Sequence, residues 1–172
     1  LVGLRFNVHM PSDTVITKAY LELTALEAQS QTTTLMIAAQ DTGNAEAFSA
    51  TKNLKKKKKF STQISWKTAS WNTNQTIISP DLSDLIKEVI SHPDWQSGQA
   101  LSLFITSSGL RVAKAFEQSS AFAPALVIEY GIPPVPDNPV IFSALASNPE
   151  NVALSWGDVS LASSYTLERK PY

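Results

Sequence analysis

The chain contains no cysteine, and this absence excludes both a disulfide framework and any chemistry that depends on a thiol. It also lacks a run of about 18 apolar residues, the length that a membrane-spanning helix needs. We therefore expect no membrane span in this fragment. The first residues alternate like a β-strand rather than forming a signal peptide, and we expect the chain to be a piece of a longer protein.

Charge and histidine are scarce as well. Charged residues make up 17% of the 172 positions, the formal net charge is −1, and His9 and His92 are the two histidines. The sequence has no nucleophile motif and its carboxylates are scattered, so no set of residues specifies a reaction. We expect no enzymatic activity. Serine, threonine, asparagine and glutamine are plentiful, as in extracellular β proteins, and we expect an extracellular or cell-surface location.

Residues 79–91 carry the one clear helical pattern. Ser79 is a suitable N-cap, Pro80 suits the first helical position, and Pro93 biases the chain out of a helix near Ser91. Apolar residues between these points recur at spacings of three, four, seven and eight, which is typical of one buried helix face. We predict that this whole set is buried: Leu82, Leu85, Ile86, Val89 and Ile90.

Most of the remaining sequence alternates between apolar and polar residues and turns at Gly, Pro, Asp or Asn, which predicts β-strands. In the first 131 residues the predicted strands are 4–8, 15–24, 33–40, 63–66, 100–106, 111–116 and 124–130. Segment 100–106 is apolar on both faces, which predicts a central strand. Short strands separated by such turns predict an all-β, antiparallel β-sandwich with one packed α-helix.

The composition changes after residue 131. Prolines crowd residues 133–139, which predicts a stiff, extended linker over residues 132–139. Residues 140–172 then contain three further strand-like segments, 141–144, 152–156 and 164–169. So few strands cannot readily bury a core, and we expect this second domain to be partial.

Two sets of residues resemble known families. Pro139, the strand that ends in Leu154-Ser155-Trp156, and residues 162–169 resemble the start of a fibronectin type III domain, of which they cover less than half. In the first domain, a set of segments and single residues resembles the DNRLRE-type β-sandwich of large bacterial secreted and surface proteins: segments 2–6, 19–23, 79–83, 93–98, 111–113 and 123–130, Asn44-Ala45 with Phe48, and Trp66 with Trp71. That module is related to carbohydrate-binding module family 96.

These resemblances imply a jelly-roll-like sandwich followed by a partial fibronectin type III-like sandwich. The DNRLRE-type pattern has a further strand and an acidic stretch ahead of residue 2, so we expect the front edge to be incomplete. The expected function is a non-catalytic module of a large secreted or cell-surface bacterial protein, either structural and adhesive or carbohydrate-binding. The alternative is a dedicated polysaccharide-binding module of a multidomain glycan-degrading enzyme.

The expected partners follow from this interpretation. They are neighbouring domains or other copies of the same protein and, in the binding alternative, a polysaccharide. We expect no nucleic-acid partner, because the basic residues form no general basic face.

A sugar site would need exposed aromatic faces beside polar groups, and the candidates are Trp66, Trp71, Trp95 and Arg111. Trp66 lies on an alternating strand, which favours the core, and Trp95 follows the helix, which favours packing against it. Trp71 lies in a polar loop and is the best surface candidate. Arg111 shares a predicted strand face with Glu117, so a structural ion pair or a hydrogen-bonded arginine competes with a ligand-binding role.

A calcium ion would need oxygen ligands gathered from loops. Asp41, Asn44 and Glu46 provide such oxygens within Asp-Thr-Gly-Asn-Ala-Glu, although the segment is not an EF-hand loop. The competing interpretation is a simple turn.

Five consecutive lysines, Lys55 to Lys59, are called the lysine segment below. They depart from the DNRLRE-type pattern, which has a mixed Ser/Thr/Arg segment there. We expect a solvated loop. The alternatives are a contact for an acidic polymer, such as an alginate-like or pectin-like glycan or a nucleic acid, and residue identities that mass spectrometry of the native protein would correct.

Overall fold

The computed structural model describes residues 1–10, 14–49, 53–117, 120–131, 141–148, 151–160 and 162–166. The chain divides into two compact units, Leu1–Ile132 and Pro133–Tyr172. The predicted linker, residues 132–139, lies outside the described residues. Within the described part, no helix is long and apolar enough to cross a membrane.

The first unit consists of antiparallel strands and one short helix. Its elements in chain order are β1 (Val2–Asn7), β2 (Val15–Thr24), β3 (Thr33–Ala39), β4 (Ile64–Thr68), β5 (Thr76–Ile78), α1 (Ser83–Ile90), β6 (Ala100–Ser107) and β7 (Ala125–Gly131). A four-stranded sheet has the order β1-β6-β3-β4, and a three-stranded sheet has the order β5-β2-β7. All of these pairings are antiparallel, as predicted, whereas jelly-roll connectivity stays a prediction.

One apolar core takes side chains from both sheets and from the helix. Because successive strand residues point to opposite faces, every second residue of β2 from Ala19 onward enters this core: Ala19, Leu21 and Leu23. Ile16 enters it as well, on the other side of a register shift between Ile16 and Lys18. Strand β6 lies between β1 and β3, so the predicted central strand is confirmed. Its inward residues Leu101 and Leu103 are buried, and so are its outward residues Ser102 and Phe104.

The helix is shorter than the sequence predicted and begins later. Four of the five predicted apolar side chains are fully buried, and Ile90, at the last position, is half-buried and packs against the core. Ser79 is not the N-cap. Its N–H donates to the carbonyl of Leu21 (2.9 Å), and its Oγ accepts from the Leu21 N–H (2.9 Å), so it continues the edge pairing of β5 with β2.

Asp81 supplies the connection between the helix and the sheet. Its Oδ1 accepts hydrogen bonds from the N–H groups of Ser83 and Ala19 (both 3.0 Å), and its Oδ2 accepts one from the Ser83 hydroxyl (3.0 Å). The N–H of Leu82 donates to the Ala19 carbonyl (2.7 Å). One carboxylate therefore satisfies a donor at the start of α1 and a donor of β2.

In the first unit, one strand prediction was wrong and one strand was missed. Residues 111–116 form no strand; a single bridge joins Ala113 to Ala25, just beyond the end of β2. This stretch does not pair with β6 as a returning strand. Instead the Lys114 N–H donates to the carbonyl of Thr24 (2.8 Å), and side-chain hydrogen bonds hold Arg111 and Val112. Strand β5 has only three residues, too few to show an alternating pattern.

The second unit contains a two-stranded antiparallel pair, β8 (Ile141–Asn148) and β9 (Asn151–Trp156). The ring of Trp156 packs edge-on against Tyr165, with 5.5 Å between the centroids. The Tyr165 hydroxyl accepts a hydrogen bond from the Val159 N–H (2.9 Å). The third predicted strand is wrong for residues 164–166, which form no strand, and residues 167–169 lie outside the described part.

Replacing Leu85 with Ala should lower the free energy of unfolding by about 2–5 kcal/mol, because it opens a cavity at a fully buried position. The measurement is urea unfolding followed by circular dichroism. Lys87→Ala, on the exposed side of the same helix, should change stability by no more than about 0.5 kcal/mol. Similar losses in the two variants would show that α1 does not bury this face.

Replacing Asp81 with Ala should lower the free energy of unfolding by about 1–2 kcal/mol at neutral pH, since a capping acceptor and a strand anchor are both lost. The hydrogen bond from the Ala19 N–H and those from Ser83, helped by Lys87 and opposed by partial burial, lower the pKa of Asp81 below its ordinary 3.8. A lowered folded-state pKa gives stabilisation that is complete above 3.8 and disappears as the pH falls through the folded value.

The difference between the wild type and Asp81→Ala should therefore narrow in acid, which urea unfolding at pH 7 and at about pH 3 would measure. Asp84→Ala is the matched control, because Asp84 lies in the first turn of α1 but forms only an exposed ion pair with Lys87. It should cost about 0.5 kcal/mol. A gap that stays constant with pH would refute the anchoring role of the Asp81 carboxylate.

Candidate carbohydrate and metal sites

Two of the three candidate tryptophans are internal. Trp66 on β4 is 7% exposed and Trp71 is 3% exposed, and their ring centroids lie 6.3 Å apart. The prediction that Trp66 belongs to the core is confirmed. Trp71, the best surface candidate among the three tryptophans, is buried as well. Trp71 is drawn inward because its backbone pairs with Gln29, with N–H to carbonyl distances of 2.8 and 2.9 Å.

The Arg111 side chain packs against the pair formed by Trp66 and Trp71, over the ring of Trp71. Its guanidinium carbon lies 5.3 Å from the centroid of the Trp71 ring. The guanidinium donates to the carbonyls of Gln31 and Ala69 and to the Thr68 hydroxyl, the latter two at 3.1 Å. With its donors directed at loop carbonyls, Arg111 acts as a hydrogen-bonded clamp. The predicted shared strand face with Glu117 does not form, since this stretch is not a strand.

Trp95 lies apart from this cluster, in the turn that follows α1. It is half-buried and packs against the core, to which α1 contributes, and its N–H donates to the carbonyl of His92 (2.9 Å). The structure therefore brings together Trp66, Trp71 and Arg111, but not as an open sugar-stacking surface.

The three candidate calcium ligands have separate partners. An oxygen of Asp41 contacts the Lys58 ammonium, and its other oxygen lies 3.9 Å from His92 Nε2. Asn44 Oδ1 accepts from the Ala100 N–H (3.3 Å). Glu46 forms an ion pair with Lys57 at 3.1 Å. Among the described residues, no group of three or more His, Asp or Glu side chains is placed to hold a metal ion.

Residues 41–48, called the covering segment below, lie against the outer face of the four-stranded sheet. Ala45 N–H donates to the carbonyl of Ala100 (2.7 Å), and the Phe48 ring packs on Phe104 with 6.2 Å between centroids. The backbone at Gly43 is pressed against the Asp94–Trp95 peptide: a Cβ there would come within 2.4 Å of the Asp94 carbonyl carbon. Asp41 and Asn44 thus belong to a turn, and this turn positions the covering segment on the sheet.

The lysine segment is more ordered than the predicted solvated loop. A 3₁₀ turn, Leu54–Lys56, begins it, and the Asn53 side chain accepts from the Lys55 N–H (2.9 Å). Lys57 and Lys59 are half-buried, whereas Lys55, Lys56 and Lys58 are exposed. No local pattern could have distinguished these two groups among five identical residues.

Comparison of the chain with protein-family models, with curated proteins and with solved structures finds no match. The resemblance to the DNRLRE-type and fibronectin type III modules therefore remains a prediction.

Replacing Arg111 with Gln should lower the free energy of unfolding by about 1–3 kcal/mol, because the loop carbonyls lose a charged donor. Chemical unfolding measures this loss. Lys67→Gln removes an exposed positive charge from the adjacent strand β4 and is the matched control, with an expected effect within about 0.5 kcal/mol. If Arg111→Gln were as stable as the control, Arg111 would be available for a ligand and the clamp interpretation would fail.

Proposed function

We propose that the chain is a non-catalytic structural module of a large secreted or cell-surface bacterial protein, with adhesion or spacing as its role. The proposal extends to a jelly-roll-like sandwich followed by a fibronectin type III-like unit. It rests on one observation above the others: the residues best suited to a ligand site form internal packing contacts, hydrogen bonds and ion pairs instead.

The aromatic candidates support this role in a direct way. A tryptophan that is 3% exposed and lies beneath an arginine offers no open ring face to the apolar side of a neutral sugar. The same holds for Trp66 at 7% exposure. Both rings contribute instead to a core that joins the two sheets.

The candidate metal ligands support it as well. Asp41 and Glu46 contact Lys58 and Lys57, and Asn44 holds a main-chain N–H of β6, so each has a role in attaching the covering segment. A calcium ion would have to displace two ion pairs and a hydrogen bond to use all three. A purely structural interpretation accounts for these contacts without a ligand.

The division of the chain into two compact units supports a modular role. A proline-rich linker between β units is typical of modules arranged in series, in which the separation of functional parts is itself the function. Neighbouring domains and other copies of the protein are the partners that such a role implies.

An array of neutral glycans, probed with and without millimolar calcium, tests this proposal. A structural module should give no neutral-glycan signal, and calcium should leave both the array and the melting temperature unchanged. Trp71→Phe serves as the matched variant, because it keeps an aromatic ring in the core. A neutral-glycan signal that disappears in Trp71→Phe, or a calcium-induced rise in melting temperature, would favour the carbohydrate-binding alternative instead.

A further inference from the structure

The lysine segment concentrates positive charge on a chain that is otherwise negative. It contains five of the 14 lysine and arginine residues, and two carboxylates, those of Asp41 and Glu46, contact it. Five positive charges less two negative ones leave a surplus of +3, and because the whole chain carries −1, the remainder carries −4. The charge is therefore strongly localised.

Two of the lysines turn inward and fix the segment. The Lys57 side chain is only 16% exposed and pairs with Glu46. The Lys59 ammonium lies 4.8 Å from the centroid of the Phe104 ring and donates to the Lys57 carbonyl (3.1 Å). Neither arrangement is that of a solvated loop, in which lysine ammonium groups stay in water.

The backbone of the segment is tied to the sheet as well. Asp41 N–H donates to the Lys58 carbonyl, and Phe60 N–H donates to the Ala39 carbonyl, both at 3.1 Å. A bridge between Gln40 and Lys59 lies between these two bonds. The segment thus continues along the end of β3, and its backbone does not have to be ordered when something binds to it.

The other three lysines are presented to solvent from this fixed backbone. Lys55 and Lys56 are exposed on the 3₁₀ turn, and the Lys58 side chain is 82% exposed although its ammonium contacts Asp41. These three side chains, Lys55, Lys56 and Lys58, are called the cationic patch below. They form a closely spaced set of positive charges on a rigid support.

We propose that the cationic patch is an interaction surface for an acidic polysaccharide, one that bears carboxylate or sulfate groups along its length. A polymer of repeated, separate anionic groups matches closely spaced ammonium groups, since each ammonium acts as a compact point charge. The rigid backbone reduces the entropy that binding must overcome. The inference goes beyond the structural role proposed above and does not depend on it.

The surroundings of the patch favour a glycan over a nucleic acid. Single-stranded nucleic acids use exposed aromatic rings on which bases stack. The aromatic rings described beside the segment are half-buried in the case of Phe48 and Phe60 and fully buried in the case of Phe104. The patch also consists of lysine alone, without the planar arginine fork that reads phosphate and base edges in pairs.

The test uses the full chain and four polymers: dextran sulfate, polygalacturonate, uncharged dextran and duplex DNA. Binding is measured by calorimetry at about 50 and 200 mM salt. Because the Lys58 ammonium also contacts Asp41, between two and three ammonium charges are available to release counterions. Affinity for the two acidic glycans should therefore fall about 7–40-fold between these salt concentrations. Uncharged dextran, which shares the backbone of dextran sulfate, should not bind.

The variant Lys55→Gln/Lys56→Gln/Lys58→Gln should reduce acidic-glycan affinity about tenfold or more at low salt. Its matched control is Lys18→Gln/Lys67→Gln/Lys87→Gln, which removes three exposed lysines elsewhere and gives the chain the same net charge. The control should bind within about twofold of the wild type. Thermal melting of both variants verifies that they fold, and the inward-facing Lys57 and Lys59 are left unchanged.

Four results would overturn the proposal: no binding to either acidic glycan at low salt, equal loss of binding in the two variants, affinity unaffected by salt, or tighter binding to duplex DNA than to both glycans. The first would return the lysine segment to a purely structural role. The second would attribute binding to net charge alone.

Discussion

The carboxylate of Asp81 is the interaction on which the arrangement of the core depends. A helix of eight residues, such as α1, is too short to be stable in water on its own. Its place is set where it begins, by one side chain that holds the Ser83 N–H of the helix and the Ala19 N–H of β2. Because α1 buries Leu85, Ile86 and Val89 in a core shared by both sheets, an error at its start would be felt throughout that core.

Polar side chains of this kind join parts of the chain that lie far apart in sequence. Asp81, Arg111 and Asn44 each bond main-chain groups more than 40 residues away in sequence, and the chain has no cysteine with which to do the same. Each bond satisfies a backbone group at the margin of a sheet, where the regular ladder ends. The same chemistry makes these residues look like ligand-binding candidates in a sequence, because hydrogen-bonding capacity does not reveal its partner.

The parts of the fold that depend on local periodicity could be predicted from sequence. Strand β2 has the predicted bounds, and β6 is one residue longer than predicted. The predicted apolar face of α1 is buried except for its last residue, which is half-buried. The wrong predictions share a physical cause. Ser79 was assigned to the helix, but Leu21 holds it at the edge of β2. Trp71 was the best surface candidate, but its backbone pairing with Gln29 draws it inward.

In both cases the deciding partner is about 40 to 60 residues away, and no window of neighbouring residues contains it.

In the lysine segment, distant partners also decide which side chains are fixed and which are exposed. Burying part of a lysine costs free energy unless its charge finds a partner. Lys57 finds Glu46, and Lys59 finds a ring face and a carbonyl. Those contacts hold the backbone of the segment against the sheet, and the side chains of the cationic patch therefore stay exposed to solvent. A repeated residue type thus acquires two different roles. Lys57 and Lys59 alternate with Lys58 along the extended chain and attach the segment to the sheet, whereas Lys58 and the two lysines of the 3₁₀ turn, Lys55 and Lys56, present their charges to solvent.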